Sequence, residues 1–178
     1  MKRALAVICV TTALLAGCDT YTSEQYQSNP QNTIALRNIA AKGERGTVGT
    51  VSLAPDVNEQ PTCRLAGPID VGSGAGIETV VKQAIQAEFL AGGIYSTNGT
   101  PVSVMITELE PDSFSGTWTI GLRVSSPKSA GYEVKQVTKF STSFSALAAC
   151  NNTADAFNRA LSATIFTLVQ HPGFRSLI

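Results

Sequence analysis

The chain has 178 residues, with 13 lysines and arginines against 13 aspartates and glutamates, and 43% of it is hydrophobic. That length holds one domain with a real core. A near-neutral balance without a basic stripe disfavours nucleic acid as a partner, and no run of like charge is long enough to make a membrane-surface helix.

Met1, Lys2 and Arg3 give the chain a positive start, followed by a stretch from Ala4 to Ala16 that is apolar apart from Thr11 and Thr12, then Gly17 and Cys18. Charge, apolar core and small-residue exit are the parts of a secretory signal peptide. As a helix the apolar stretch spans about 20 Å, short of the ~30 Å hydrocarbon thickness, so a permanent membrane span is not expected. Leu15-Ala16-Gly17-Cys18 resembles the lipobox of bacterial lipoproteins. The resemblance covers the leader alone and implies cleavage after residue 17, with diacylglycerol on the thiol of Cys18, which becomes the new N-terminus. The mature protein would then be lipid-anchored on the periplasmic side of a membrane. Asp19 follows, which in enteric bacteria resembles lipoproteins kept in the inner membrane; the outer membrane stays open.

Cleavage leaves 161 residues with 11 basic and 13 acidic side chains. Cys9 departs with the leader and Cys18 takes the lipid, so Cys63 and Cys150 remain. Two thiols in an oxidising compartment are expected to pair as a structural disulfide; two buried free thiols in unrelated places are the other reading. No Cys-x-x-Cys is present to make a redox site.

Residues 18–32 hold almost no aliphatic side chains, so ordering them promises little return for the entropy lost. They read as the lipidated cysteine and a flexible tether, and a single periplasmic domain is expected over 33–178. Within it, Thr33 to Ala40 and Thr47 to Leu53 read as strands around a turn at Gly43 to Gly46. A polar loop with Pro61 and an extended segment from Arg64 to Val71 follow. Ile77, Val80, Val81, Ala84, Ile85 and Phe89 recur at helical spacing, with Glu78, Lys82 and Gln86 on another face, and Gly92-Gly93 ends that helix.

Period-two alternation then marks three strands: Val102, Val104 and Ile106; Trp118, Ile120, Leu122 and Val124; and Tyr132, Val134, Thr138, Phe140 and Phe144, where Gln136 breaks the pattern and suggests a bulge. The short links Pro111 to Gly116 and Ser125 to Gly131 suit hairpins. A last helix is expected from about Asn152 to Val169, capped by Asn151, Asn152 or Thr153 and stopped by Pro172, with Phe157, Leu161, Ile165 and Leu168 as its stripe. The sum is an α+β fold: a two-layer domain, a mainly antiparallel sheet with two amphipathic helices on one face.

Four features invite a site. Asp70 to Gly76 is glycine-rich and precedes a helix, where backbone N–H groups can meet an anion. Its spacing matches neither a dinucleotide nor a nucleoside triphosphate motif, so a plain turn is the favoured reading. His171 is the only histidine, sits at a helix end and has no nucleophile or co-ligands in view. Glu108, Glu110 and Asp112 share a strand parity, yet lack the spacing of a calcium loop. Asn98-Gly99 is a turn dipeptide. No catalytic residue, metal or cofactor is expected.

The order of helix, three strands and C-terminal helix is similar to small proteobacterial envelope lipoproteins, such as the YajG type and the lipoprotein partners of envelope transport machines. That likeness is of layout and transfers no motif residue. It implies a non-enzymatic interaction or assembly role with an envelope protein partner. A small-ligand or lipid carrier, with its cargo held between helices and sheet, is the alternative.

Overall fold

A computed structural model describes residues 20–64, 67–72 and 74–178. The expected signal peptide over 1–17, Cys18 and Asp19 lie outside the described residues. So do residues 65 and 66 of the expected extended segment and Ser73 of the glycine-rich loop.

The alternating segments form a four-stranded sheet. Thr100–Asp112 (β5), Thr117–Ser126 (β6) and Ser129–Lys139 (β7) make an antiparallel meander, and Gly46–Leu53 (β2) lies parallel to β5 on its outer side. The sheet is therefore mixed, with the antiparallel meander as its larger part. The inward parity carries Val102, Val104, Ile106, Trp118, Ile120, Leu122 and Val124, all buried. A register shift between Ile106 and Glu108 then brings Leu109 to the core side. Gln136 is no bulge: it pairs with Ile120 in unbroken register. Its side-chain oxygen accepts a hydrogen bond from the Thr167 hydroxyl at 3.1 Å, which is how a polar residue is accommodated at a half-buried position. The tight β6–β7 connection needs Gly131, whose φ is +84° and whose missing Cβ would collide with the Val124 carbonyl. Gly131→Ala is expected to cost at least about 2 kcal/mol, read as a fall in the urea midpoint.

Ile77–Ala91 (α2) and Ala146–Gln170 (α3) cover the inward face, α2 over β2 and α3 over β6 and β7. The expected start of α3 near Asn152 is six residues late. Ser145 is the cap, accepting from the Ala148 N–H at 3.5 Å, and Asn151, Asn152 and Thr153 are helical. Thr153 is buried and returns its hydroxyl to the Ala149 carbonyl at 2.7 Å. Trp118 and Phe157 meet edge to face at 5.4 Å beneath α3, with the indole N–H on the Thr153 carbonyl at 2.8 Å.

The expected strand Thr33–Ala40 is instead part of a helix, Pro30–Ala40 (α1). Asn29 caps it through its side chain, and Pro30 supplies the fixed φ of a first turn. Asn32, Leu36 and Ile39 form its buried stripe. The β-branched Thr33 and Ile34 suggested a strand, but Ile34 faces outward. α1 rests on α2 and α3, so three α-helices stand among the described residues, α1 as a partial third layer.

The flexible tether over 18–32 is also corrected for its described part. Tyr21–Thr22 (β1) lies parallel to Gly67–Asp70 (β4), with Tyr21 opposite Ile69; Thr62–Cys63 (β3) flanks β4 on its other side. Tyr21 is buried, and the Ser23 N–H reaches the Asp70 carbonyl at 3.0 Å. The segment lacks aliphatics, but its tyrosines bring large apolar bodies with polar tips that find partners. The folded domain thus begins by residue 21, within the span assigned to the tether.

Candidate functional site

Asp70 closes the glycine-rich loop on itself. One carboxylate oxygen accepts from the Gly72 N–H at 3.0 Å and the Gly74 N–H at 3.2 Å. An anion would have to displace a carboxylate from those donors, so the loop behaves as a braced turn. It borders a shallow recess shared with Thr20, Glu59, Pro68 and Ile77.

His171 caps the 3-10 turn Pro172–Ser176: its Nδ1 accepts from the Gly173 N–H at 3.1 Å. The ring stacks on Tyr132 at 3.8 Å, and the Tyr132 phenol donates to the Leu168 carbonyl at 2.6 Å. Burial pushes that phenol up, so it remains a donor. The histidine is thus built into the C-terminal packing.

The three carboxylates of β5 take separate tasks. Glu108 pairs with Lys135 at 2.6 Å and Glu110 is exposed. Asp112 braces the β5–β6 turn, accepting from the Ser115 hydroxyl at 2.6 Å and from the Phe114 and Ser115 N–H groups. The Ser115 hydroxyl first, and then the two amides, hold its carboxyl below the usual aspartate range. A depressed folded value means support that is complete above the ordinary aspartate pKa and fades as pH falls through the folded one. The Phe114 amide resonance is expected to titrate below the range of a free aspartate, and a normal midpoint would contradict the brace. Among the described residues no three metal-ligating side chains gather. Gly99 allows close backbone approach, since a Cβ there would meet Gly46 at 2.7 Å.

Cys63 and Cys150 are bonded, with Cα atoms 5.6 Å apart. The bridge ties β3 to the second turn of α3.

Two groupings escaped the sequence reading. The first surrounds Glu88, which is fully buried in α2. One of its oxygens accepts from the Tyr26 hydroxyl at 2.5 Å, the Asn29 N–H at 2.9 Å and the Asn32 amide at 2.9 Å. The Asn32 amide also reaches the Ser162 carbonyl at 3.2 Å. Burial above all, then the bond to Glu88 and its charge, drive the Tyr26 phenol up. One carboxylate so joins the N-terminal segment, α1 and α2, and through Asn32 also α3. The signal was present: Glu88 lies seven residues after Val81 and three after Ile85, on the apolar stripe.

The second is an apolar tip. Phe144 is fully exposed, Phe114 is 73% exposed and Leu147 is 55% exposed. Arg64 joins their segments, donating to the carbonyls of Ser113 at 3.2 Å, Ser143 at 2.8 Å and Phe144 at 3.2 Å, with its guanidinium 4.5 Å from the Phe114 ring centre.

The fold and these groupings define an α+β domain whose polar clusters brace structure and whose exposed features are a sheet edge and an apolar tip. The chain is similar to a crystal structure of protein XCC0632 from Xanthomonas campestris, a DUF330 protein. The TM-score is 0.45 and the identity 11%, covering 85% of this chain and 92% of that one. No family model and no curated protein matches the sequence.

Proposed function

We propose that this protein is a membrane-anchored envelope lipoprotein that acts non-enzymatically, as an interaction or assembly factor held by lipid on Cys18. The leader and Leu15-Ala16-Gly17-Cys18 support the anchor. The observation that carries the binding role is β2, an outer strand with no charged residue and no proline. The opposite edge, β7, carries Glu133, Lys135 and Lys139, the usual guard against strand addition. Ala54 donates to Ile106 on β5, so alternation turns the peptide groups of Leu53 and Val51 outward. Among the described residues the only pairing on that side is the Gly46–Tyr95 bridge. An extended segment of another envelope protein would add there as a strand.

The carrier alternative needs an apolar space between helices and sheet. Trp118, Phe157, Phe89 and Phe174 are fully buried in this layer, and the recess beside Val71 and Val80 is also lined by Glu24, Gln25 and Gln83, so it is not a continuous apolar pocket.

A photo-crosslinking residue at exposed Thr50, in the lipidated protein in cells, is expected to trap one defined envelope protein, while the same probe at Lys135 does not. Thr50→Lys is expected to abolish the function that this partner supports. No specific adduct at position 50, together with lipid recovered on native extraction, would transfer the reading to the carrier.

A further inference from the structure

We infer that the apolar tip formed by Phe114, Phe144 and Leu147 is a membrane-docking surface, which enters the lipid interface beside the anchor; this rests on the lipoprotein reading above. Of six large hydrophobic side chains exposed among the described residues, three gather at this end of the domain. A grouped exposed apolar surface is uncommon on a soluble domain and marks a contact.

The tip is held in place. Arg64 has φ +51°, a left-handed conformation that a non-glycine residue adopts only when its surroundings impose it. Its guanidinium bonds pin the β5–β6 turn to the linker before α3, and the Thr142 hydroxyl adds a bond to the Ser113 carbonyl. Asp112 fixes the turn that presents Phe114. Residue 63, next to Arg64, is bridged to α3. The aromatic rings are therefore presented on a braced frame, although water is a poor environment for them.

The strand register says where the anchor lies. β1 runs parallel to β4 with Tyr21 opposite Ile69, so moving toward Thr20 leads toward Pro68 and Gly67. Those residues pair with Thr62 and Cys63, immediately before Arg64. Thr20 borders the recess that includes Pro68. Two strand spacings, roughly 10 Å, separate the β1 line from the β3 line. Two residues extended span at most about 7 Å, which bounds the distance from Thr20 to Cys18. The described chain thus enters the domain, at Thr20, from the end that carries the tip, within two residues of the proposed anchor.

Anchoring makes contact between tip and bilayer intramolecular, so even shallow insertion of phenylalanine and leucine is favoured. The opposite end of the sheet, with Gly46, Tyr95 and the C-terminus of α2, then points away from the membrane.

The lipidated protein, reconstituted in phosphatidylcholine vesicles with brominated acyl chains, tests this with Phe144→Trp and Leu90→Trp. Leu90 is exposed at the far end of α2, and buried Trp118 gives both variants a common background. The probe at position 144 is expected to emit at shorter wavelength and to lose most of its added emission to bromine; the probe at position 90 is expected to keep its emission. Adding Phe114→Ser and Leu147→Ser is expected to restore the emission at 144. Water-like emission from both probes overturns the docking surface while leaving the anchor intact. Shielding of position 144 by an added envelope protein, but not by lipid, overturns it in favour of a protein contact. Absence of lipid on Cys18 overturns the anchored reading and this inference together.

Discussion

Replacing Glu88 by alanine is expected to destabilise the domain by about 3–5 kcal/mol, because the substitution strands several donors at once in a buried site. The Tyr26 hydroxyl, the Asn29 N–H and one hydrogen of the Asn32 amide all depend on the same carboxylate oxygen. The Asn32 amide is fully buried and Tyr26 and Asn29 are half-buried, and the cavity left in α2 adds to the loss. For a domain of this size the corresponding fall in Tm is roughly 8–16 °C. Glu88→Gln keeps the volume and one acceptor and is expected to cost less. Tyr26→Phe removes one bond to a charged acceptor, about 1.5–3 kcal/mol, and loosens the N-terminal segment first, read as faster amide exchange at residues 21–26. Thermal denaturation that leaves Glu88→Ala within 1 kcal/mol of the parent, a margin set by ordinary surface substitutions, would show that the cluster contributes nothing.

Loss of the disulfide is the second large effect. The bonded cysteines are 87 residues apart, and closing a loop of that size in the unfolded chain gives about 4–5 kcal/mol on the chain-entropy account. The paired variant Cys63→Ala, Cys150→Ala is expected to unfold at a correspondingly lower urea midpoint, with an m-value raised by the more open denatured chain. The bridge has a further local consequence. It fixes residue 63, and with it the start of the Arg64 contacts, so the double variant is expected to show increased exchange in the β5–β6 turn, Ser113 to Gly116, and in the linker Ser141 to Ser145 before global unfolding. Reductant added to the parent should reproduce the variant's midpoint. Identical midpoints with and without reductant, and two alkylatable thiols in the unfolded parent, would contradict a stabilising bridge.

The three antiparallel strands and α2 were legible because most of their side chains keep one period. The third alternation ran too far, since β7 ends at Lys139 and Phe144 is fully exposed outside it, and the shift after Ile106 breaks the period of β5. Trp118, Ile120, Leu122 and Val124 alternate cleanly, and the residues from Ile77 to Phe89 keep to one helical face. The α1 region was not, because Thr33, Ile34 and Ile39 have strand preferences, while the deciding signals, Asn29 and Pro30, lay inside a segment read as tether. Tertiary contact overrode composition there: Tyr21 and Tyr26 carry the burial that aliphatic residues usually supply. The start of α3 moved for a related reason. Asn152 and Asp155 resemble cap residues, but Ser145 is already followed by Ala146 to Ala149, good helix formers that extend the helix backward. Of the candidate sites, Asp70 to Gly76, His171 and the β5 carboxylates were visible as residues, and their structural tasks depend on neighbours distant in sequence. Arg64 could not be singled out at all: its importance comes from carbonyls about 50 and 80 residues away.

The proposed lipid anchor would also account for a small domain that presents a bare strand and an apolar tip at once. On that proposal one end would lie against the bilayer, the uncharged edge of β2 would be held at a fixed height above it, and a partner would meet it at high effective concentration. In free solution the same two features would favour self-association.

Mass spectrometry of the N-terminal peptide, taken from protein purified out of the membrane fraction, is the most direct test. The account predicts a peptide that begins at Cys18 and carries diacylglycerol on sulfur with a further acyl group on the amine. A peptide that retains residues before Cys18, or one with an unmodified thiol there, would contradict it.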